Sequence, residues 1–232
     1  MKITILTLFP KVFKGFFSTS IPSRAIDKKL ISVKYLDFRK FAEDKHHKCD
    51  DEPYGGGAGL ILKPEPLFKA LHSIKAENKR VIYPTPSGKL FTEDKAYELS
   101  KEKELIFIAG HYEGMDQRVI DTFVTDELSI GDYVLSSGET ATLVMIDAIY
   151  RLIEGVITPE SLDEESFVNG LLEYPLYTRP YEYEGQKVPD ILLSGDHAKI
   201  KEWRNTKRLE KTRANRIDLY RKFKKSKLSV KG

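Results

Sequence analysis

The sequence of 232 residues contains one cysteine, Cys49, so no intramolecular disulfide can form, which is consistent with a reducing compartment. It also lacks an uninterrupted apolar run of the roughly 20 residues that a membrane-spanning helix needs. The N-terminal stretch reaches Pro10 without the small-residue cleavage site of a signal peptide. We therefore expect a cytoplasmic protein whose first residues form a strand.

One polar cluster is a candidate for metal binding, but its spacing does not support that interpretation. It consists of His46, His47, Cys49, Asp50 and Asp51. These residues lack the two-plus-two spacing of a structural zinc site, and no second cluster follows them. We expect a polar loop here and no metal ligands.

Charge is distributed unevenly along the chain, although the net charge is only +3. Residues 196–232 carry 14 Lys and Arg against 4 Asp and Glu, a net +10, which leaves −7 for residues 1–195. A polyanion would be attracted to the basic end through counterion release, while the acidic remainder would resist indiscriminate coating. This pattern points to a nucleic-acid partner.

Short apolar runs alternate with helical patterns over the first two thirds of the chain. The predicted strands are Ile3–Phe9, Ile31–Leu36, Arg80–Tyr83, Glu104–Ala109 and Val124–Ile130, and the predicted helices include Pro64–Ile74 and Glu93–Ser100. Strands separated by helices indicate an α/β fold with a parallel sheet and helices on both faces. With 41% hydrophobic residues, the chain is long enough to bury a substantial core.

The chain after the sheet region divides into three segments. Glu139–Ile153 is apolar nearly all round, so this helix either fills the core or meets a second subunit. Residues 158–169 are acidic and polar, which is typical of a mobile linker. Residues 170–232 are expected to form a small, basic helical domain in which Asp196 is the N-cap of a helix.

The segment Leu128–Glu139 is the strongest candidate for a ligand loop. Its apolar residues alternate with small residues and glycines, so it offers backbone groups to a ligand. A second candidate is the apolar run Glu104–Ala109, which is followed by Gly110, His111, Tyr112, Glu113 and Gly114. Polar groups at the exit of such a strand are where open α/β sheets bind small molecules.

These two segments, together with Tyr54–Gly59, resemble the bacterial tRNA (guanine-N1)-methyltransferase family. Further matching motifs lie at Lys2–Pro10, Tyr177–Pro180 and Leu193–Ala198, so the resemblance runs from Met1 past Trp203 in one order. It implies a knotted methyltransferase that uses S-adenosylmethionine, with a deep trefoil knot in a catalytic domain spanning residues 1–157. Ordinary topology rules would not have suggested a knot.

The resemblance implies that three loops hold the S-adenosylmethionine. The residues at the matching positions are Tyr83, Pro84, Thr85, Pro86, Gly110, Tyr112, Glu113, Ser129, Ile130, Gly131, Asp132, Tyr133, Val134, Leu135, Ser137 and Gly138. On the residues alone, ligand-free turns at the strand exits are the competing interpretation. The chain departs from the expected glycine pair at Ser137, which costs about 1 kcal/mol if its φ is positive and otherwise adds a hydroxyl to the pocket.

Methylation of guanine N1 requires a general base, because that nitrogen carries a proton at neutral pH. The resemblance places the base at Glu165 and an arginine, which would stabilise charge on O6, at Arg151. The family's base is an aspartate, and the linker before Glu165 is one residue shorter here, so we expect the longer side chain to offset the shorter backbone. Asp163 and Glu164 are rival bases. On the residues alone, Glu165 would be a solvated acid and Arg151 a cation at a helix C-terminus.

The resemblance also implies a target, guanosine 37 of tRNA, just 3′ of the anticodon, and an active site shared between two subunits of a homodimer. The candidate tRNA-binding residues are Arg24, Asp50, Tyr54, Gly55, Arg204, Lys207, Arg208, Lys211 and Arg213. Spacings of three and four place Arg204, Arg208 and Lys211 on one helix face, for which an ordinary solvated face is the alternative. Glu52 stands where the family has an arginine. Magnesium dependence is implied as well, but no cluster of ligands shows a site.

Two other functions are compatible with the sequence. One is a related knotted methyltransferase that acts on ribosomal RNA, for instance at a ribose hydroxyl, a reaction that needs no base for guanine N1. The other is an RNA-binding protein with impaired catalysis. The differences from the family's residues at Ser137 and Glu165 are compatible with this alternative.

Overall fold

The computed structural model describes residues 1–229 and divides into two compact units, Met1–Ile157 and the chain from Thr158 onward. The first unit contains seven strands: β1 (Lys2–Leu6), β2 (Ser32–Leu36), β3 (Asp50–Asp51), β4 (Ile61–Leu62), β5 (Arg80–Leu90), β6 (Glu104–Ile108) and β7 (Asp126–Ser129). Its helices are α1 (Pro10–Phe17), α2 (Ser20–Asp27), α3 (Pro64–Ser73), α4 (Glu93–Ser100), α5 (Gln117–Phe123) and α6 (Gly138–Tyr150). Short 3-10 turns span Phe38–Phe41 and Ala76–Asn78.

Five strands form one sheet in the order β2-β1-β6-β5-β7, and all four pairings are parallel. Strands β3 and β4 form a separate antiparallel pair. The predicted α/β fold with a parallel sheet is therefore confirmed. Four of the predicted strands lie within three residues of their observed bounds, whereas β5 continues seven residues beyond its predicted end at Tyr83. The carboxyl ends of β6, β5 and β7 lie side by side at one edge of this sheet.

Helices cover both faces of the sheet because apolar residues point alternately to the two sides of each strand. In β1, Ile3 and Ile5 belong to one core cluster and Leu6 to the other. The same alternation in β6 sends Leu105 to the first cluster and Ile106 to the second. The first cluster includes residues of α1, α4 and α6, and the second includes residues of α3 and α5.

The helices begin where the sequence supplies a cap or a proline. The Thr92 side chain accepts a hydrogen bond from the backbone of Lys95 at the start of α4, and Asp116 accepts one from Arg118 at the start of α5. Proline is the first residue of α1 and of α3, where its fixed φ favours a helix and its missing N–H is not needed.

Helix α6 mainly fills the core, which was one of its two predicted roles. Its buried residues include Met145, Ile146 and Ile149, which pack in the first cluster. Val144 lies on another side of the helix and is 47% exposed. None of the helices within residues 1–229 combines the length and hydropathy that a bilayer span requires.

The second unit, described through residue 229, is built mostly from helices. It contains α7 (Pro159–Leu162), a 3-10 turn (Val168–Gly170), the antiparallel pair β8 (Glu182–Tyr183) and β9 (Gln186–Lys187), a second 3-10 turn (Asp190–Leu193), α8 (His197–Asn215) and α9 (Ile217–Ser229). The Asp196 side chain accepts a hydrogen bond from the backbone of Lys199, as expected for the predicted N-cap of α8.

Candidate active site

A cavity of about 180 Å³ opens at the carboxyl ends of β5, β6 and β7. Three segments distant in sequence line it: residues 83–86, 110–114 and 128–138. Neighbouring parallel strands bring these segments together at one edge of the sheet. The second segment follows β6, the third includes the end of β7, and residues 83–86 lie within β5, next to the shift in its pairing with β7. This cavity is the candidate active site.

The cavity collects the predicted cofactor residues with a single exception. All of them except Asp132 lie on its walls. Five further residues line the cavity besides those assigned to the cofactor, namely His111, Gly114, Leu128, Ser136 and Ala141. All of these except Ala141 lie in the two segments predicted above as ligand loops.

Two glycines in the wall occupy positions that a side chain would disturb. Gly131 has φ +142°, a conformation that L residues rarely adopt. Gly138 donates its backbone N–H to the Gly110 carbonyl at 2.8 Å, and a Cβ added at Gly138 would lie 2.6 Å from the Gly110 nitrogen. The start of α6 therefore approaches the exit of β6 more closely than any larger residue would allow.

Ser137 is not strained, which settles the question raised by the missing glycine. Its φ is −160° and its ψ is 151°, an extended conformation open to any residue. Its side chain lines the cavity but makes no cap hydrogen bond to α6. Of the two neighbouring positions, only Gly138 needs glycine, and it needs it for close approach.

Two tyrosines at the cavity have raised pKa values. Burial raises the pKa of Tyr83, and the negative charge of Glu127 adds to the effect. Burial also raises the pKa of Tyr112, as do the charge of Asp50 and the hydrogen bond to it. Both phenols are therefore neutral donors at physiological pH. Tyr112 has φ +59°, a left-handed conformation that costs roughly 1 kcal/mol outside glycine.

Glu113 lies against the glycine-rich segment that was predicted near the guanine. Its backbone N–H donates to the Leu60 carbonyl at 3.0 Å. A Cβ added at Gly59 would lie 2.5 Å from Cγ of Glu113, so this backbone packs directly on the side chain. In the same segment, Tyr54 is fully exposed and Gly55 has φ +86°.

The polar cluster around Cys49 forms a loop held by Asp44. The Asp44 carboxylate accepts hydrogen bonds from the backbone of His46 and of Lys48. Cys49 is buried and its Sγ contacts the His47 carbonyl, and burial raises the pKa of this thiol to about 11. Within residues 1–229, no group of three or more His, Cys, Asp and Glu side chains is arranged to hold a metal ion.

Of the three candidate bases in the linker, Asp163, Glu164 and Glu165, Glu164 is tied to its own unit. Its carboxylate accepts hydrogen bonds from the Tyr174 hydroxyl and from Arg204, the latter at 3.1 Å. The Arg204 guanidinium also lies over the Tyr174 ring, 4.7 Å from its centre. Asp163 is exposed and Glu165 is half-buried. In the other unit, Arg151 is the C-cap of α6.

The cations predicted on one face of α8 have different surroundings. Arg208 is buried, and its guanidinium donates to the carbonyls of Val168 and Leu172 at 2.8 and 3.2 Å. This geometry gives Arg208 a structural role and removes it from the candidate RNA contacts. Lys207 pairs with Glu210 at 2.8 Å on the surface. Arg204, Arg208 and Lys211 do share one face of α8, as predicted, but that face contacts residues 164–173 of the same unit.

The remaining predicted RNA contacts are accessible to different degrees. Lys211 lies 4.0 Å from Glu173 and is half-buried. Arg213 is exposed on α8, and Arg24 is exposed on α2. Asp50 is half-buried and bonds Tyr112.

Comparison with known proteins gives matches along nearly the whole chain. The model of the family described as tRNA (Guanine-1)-methyltransferase TrmD matches residues 1–222. A tRNA (guanine-N(1)-)-methyltransferase of Treponema denticola is 57% identical over 222 residues, covering 96% of this chain and 91% of that protein. Proteins of the same name from Borreliella burgdorferi and Treponema pallidum are 56% and 55% identical, covering 96% and 94% of this chain and 94% and 88% of their own lengths.

Proposed function

We propose that this chain, which belongs to the tRNA (guanine-1)-methyltransferase family, transfers a methyl group from S-adenosyl-L-methionine to N1 of guanosine 37 in tRNA. The observation that carries the proposal is the meeting of three separate segments in one cavity at the carboxyl edge of the sheet. Most of the donor-binding positions implied by the family lie on that cavity.

The chemistry of the cavity fits the donor. S-Adenosylmethionine, when bound, supplies an electrophilic methyl carbon on a sulfonium. Ile130, Tyr133 and Leu135 provide apolar walls, while the turns around Gly110 and Gly131 expose backbone groups for polar contacts. Glu113 also lines the cavity, and its negative charge would balance positive charge on the donor. The protein's part is to bind, orient and exclude water.

Deprotonation of guanine N1 is assigned to Glu165. Its carboxylate would accept the proton from guanine N1, which leaves the electron pair of N1 free to receive the methyl group that bound S-adenosylmethionine would supply. Arg151 would stabilise the negative charge that develops on O6. Glu165 is chosen over its neighbours because it stands at the position that matches the aspartate base of the family.

The test compares single-turnover methylation by three variants on unmodified tRNA transcripts that carry G or A at the target position. Removing a general base lowers the rate by roughly 100- to 10,000-fold, and we expect this for Glu165→Gln with the G transcript. Glu164→Gln and Asp163→Asn serve as matched controls and should stay within about tenfold of the wild type. Loss of activity only in Asp163→Asn would refute the assignment. Methylation at a ribose by the wild type would favour the ribosomal-RNA type of reaction.

A homodimer with a shared active site is part of the proposal. Support comes from apolar side chains left exposed on two helices that contact each other, Val12 on α1 and Val144 on α6. The experiment mixes two inactive variants, Gly138→Ala and Glu165→Gln. If one subunit binds the donor and its partner supplies the base, heterodimers regain about half of the sites. Mixtures that remain inactive under conditions of subunit exchange would refute the shared site.

Three finer features complete the proposal. We infer a trefoil knot, because the segment after β7 returns to the exit of β6, where Gly138 bonds Gly110. We infer that residues 158–169 act as a mobile acidic linker between the catalytic domain, residues 1–157, and a small tRNA-binding domain, residues 170–232. The tRNA substrate implies a cytoplasmic location, and magnesium would serve at a site that remains to be identified.

We propose that the exposed cations and the glycine-rich segment Tyr54–Gly59 contact the tRNA. Arg213 and Arg24 are exposed and suited to phosphates. To contact a phosphate, Lys207 and Lys211 would first have to break their surface ion pairs, each of which contributes less than about 1 kcal/mol to stability. Tyr54 is fully exposed beside Gly55, as expected of a ring that stacks on an unpaired base.

A further inference from the structure

A buried polar cluster lies behind the candidate active site, and none of the roles assigned above uses it. Glu139, in the first turn of α6, is 1% exposed. One carboxylate oxygen, Oε1, accepts a hydrogen bond from the hydroxyl of Thr7 at 2.8 Å. Thr7 follows β1 directly and is completely buried. The cluster therefore joins the end of a central strand to the start of α6.

The second carboxylate oxygen of Glu139 has no hydrogen-bond partner among the residues that the structure describes, and neither has Nδ1 of His111. Both atoms are buried, and they are 4.0 Å apart. A buried polar atom without a partner is unfavourable, because it has given up its hydrogen bonds to water. An approach of about 1 Å would bring the two atoms to hydrogen-bond distance and satisfy both of them at once.

The position of His111 connects this cluster to the cavity. Its ring packs between Phe9 and Tyr112, with ring centres 5.0 and 4.8 Å away. The residue lines the cavity, and its neighbours Gly110 and Tyr112 line it as well. A shift of the His111 ring therefore moves the backbone of the loop to which the donor is expected to bind.

We propose that Glu139 is a positioning residue that acts through His111. In the donor-bound enzyme, Nδ1–H of His111 donates to Oε2 of Glu139, while Thr7 keeps its hydrogen bond to Oε1. This bond fixes the histidine tautomer and holds the 110–113 loop in its binding position. The inference rests on the proposed function, because the donor is S-adenosylmethionine.

The first experiment measures donor affinity by calorimetry, and the Michaelis constant and turnover number with tRNA. A hydrogen bond to a charged group that is lost equally in the ground state and the transition state raises the Michaelis constant and leaves turnover unchanged. We expect His111→Phe, which keeps the ring packing and removes the N–H, to weaken donor binding by about tenfold. Glu139→Gln should weaken it similarly, because the neutral amide no longer selects the Nδ1–H tautomer.

Three further variants separate positioning from a general loss of structure. His111→Asn retains an N–H donor near the place of Nδ1 and should bind the donor within about threefold of the wild type. Thr142→Val is the matched control, because Thr142 is a buried residue of the same helix whose hydroxyl has no partner among the described residues. It should leave affinity unchanged. The double variant of Glu139→Gln and His111→Phe should be no weaker than either single one.

Nitrogen-15 spectra of the histidine rings give a readout that a purely structural role would not affect. On addition of S-adenosylmethionine to the wild type, we expect His111 to become fixed as the Nδ1–H tautomer, and Glu139→Gln to abolish this change. Provided that the wild type methylates tRNA, two results would overturn the inference and leave the function intact. One is additive effects in the double variant, and the other is unchanged donor affinity in both single variants. A wild type that neither binds nor uses the donor would instead refute the proposed function.

Discussion

The replacement of Gly138 by alanine is the sharpest test of how the cavity is built. In the structure, the added Cβ would lie 2.6 Å from the backbone nitrogen of Gly110 and 2.8 Å from its carbonyl oxygen. Ordinary non-bonded separations are about 3.5 Å. The start of α6 and the exit of β6 would therefore have to separate by roughly 0.7–0.9 Å, and both are backbone, which cannot move aside as a flexible side chain can.

The expected cost has a stability part and a functional part. Overpacking of this kind destabilises a protein by about 1–3 kcal/mol, which corresponds to a fall of about 2–12 °C in melting temperature for a chain of this size. The hydrogen bond from Gly138 to Gly110, now 2.8 Å, would lengthen beyond its useful range. Because both glycines line the cavity, a displacement approaching 1 Å should also lower turnover by about 100-fold.

Thermal denaturation measures the stability part, and the rate of tRNA methylation together with calorimetric titration of S-adenosylmethionine measures the functional part. The matched control is Ser137→Gly at the adjacent position, where the extended backbone accepts any residue. That variant should retain donor affinity and lose at most about 1 kcal/mol, through the greater freedom of its unfolded chain. A Gly138→Ala protein that melts and binds like the wild type would show that the close approach is unimportant.

Three further predictions concern substitutions of charged residues, two of them buried and one exposed. Burial is the largest single influence and would raise the pKa of Asp126, but the hydrogen bonds from Arg80 and Thr125 and the charges of Arg80 and Lys95 together outweigh it, so the pKa is lowered. Asp126→Asn should therefore cost about 3 kcal/mol in urea denaturation at neutral pH, and the difference from the wild type should vanish as the pH falls through the folded-state pKa, below about 3.9. A constant difference down to pH 2 would contradict this sign. Arg208→Ala should lower the stability of the second unit by about 1–3 kcal/mol, because two partly buried carbonyls lose their donor; an unchanged unfolding curve would refute the structural role. Arg213→Ala should leave stability unchanged and reduce the salt slope of tRNA affinity by about 0.7–0.9; an unaltered slope would exclude a phosphate contact.

The sheet could be predicted from sequence because its strands are buried on both faces and therefore appear as apolar runs. The end of β5 was harder to predict from the sequence. The strand was expected to end at Tyr83, before the two prolines, but it continues to Leu90 with a shift of register between Pro84 and Lys89. Proline removes one hydrogen bond between strands but still allows an extended backbone. The two prolines therefore predicted an interruption of the strand pairing, but they could not show where the strand ends.

The cavity walls could be predicted because they follow strand exits, whereas the environment of single side chains could not. Arg208 lies on a helix whose period places it beside other cations, yet two carbonyls of a preceding turn draw it into the core. The left-handed φ of Tyr112 is set by the loop around it, and no local residue preference indicates it. The conformation of Ser137 likewise depended on where α6 meets β6.

The hydrogen bond between Thr7 and Glu139 joins residues 132 positions apart, and this has a consequence for biosynthesis. While the chain is being translated, the first strand emerges from the ribosome long before the helix that supplies its polar partner. Contacts of such separation form late and slowly, because the intervening chain must first be ordered. A nascent chain that ends before α6 therefore exposes an unfinished ligand site, and chaperones would encounter the enzyme in that state.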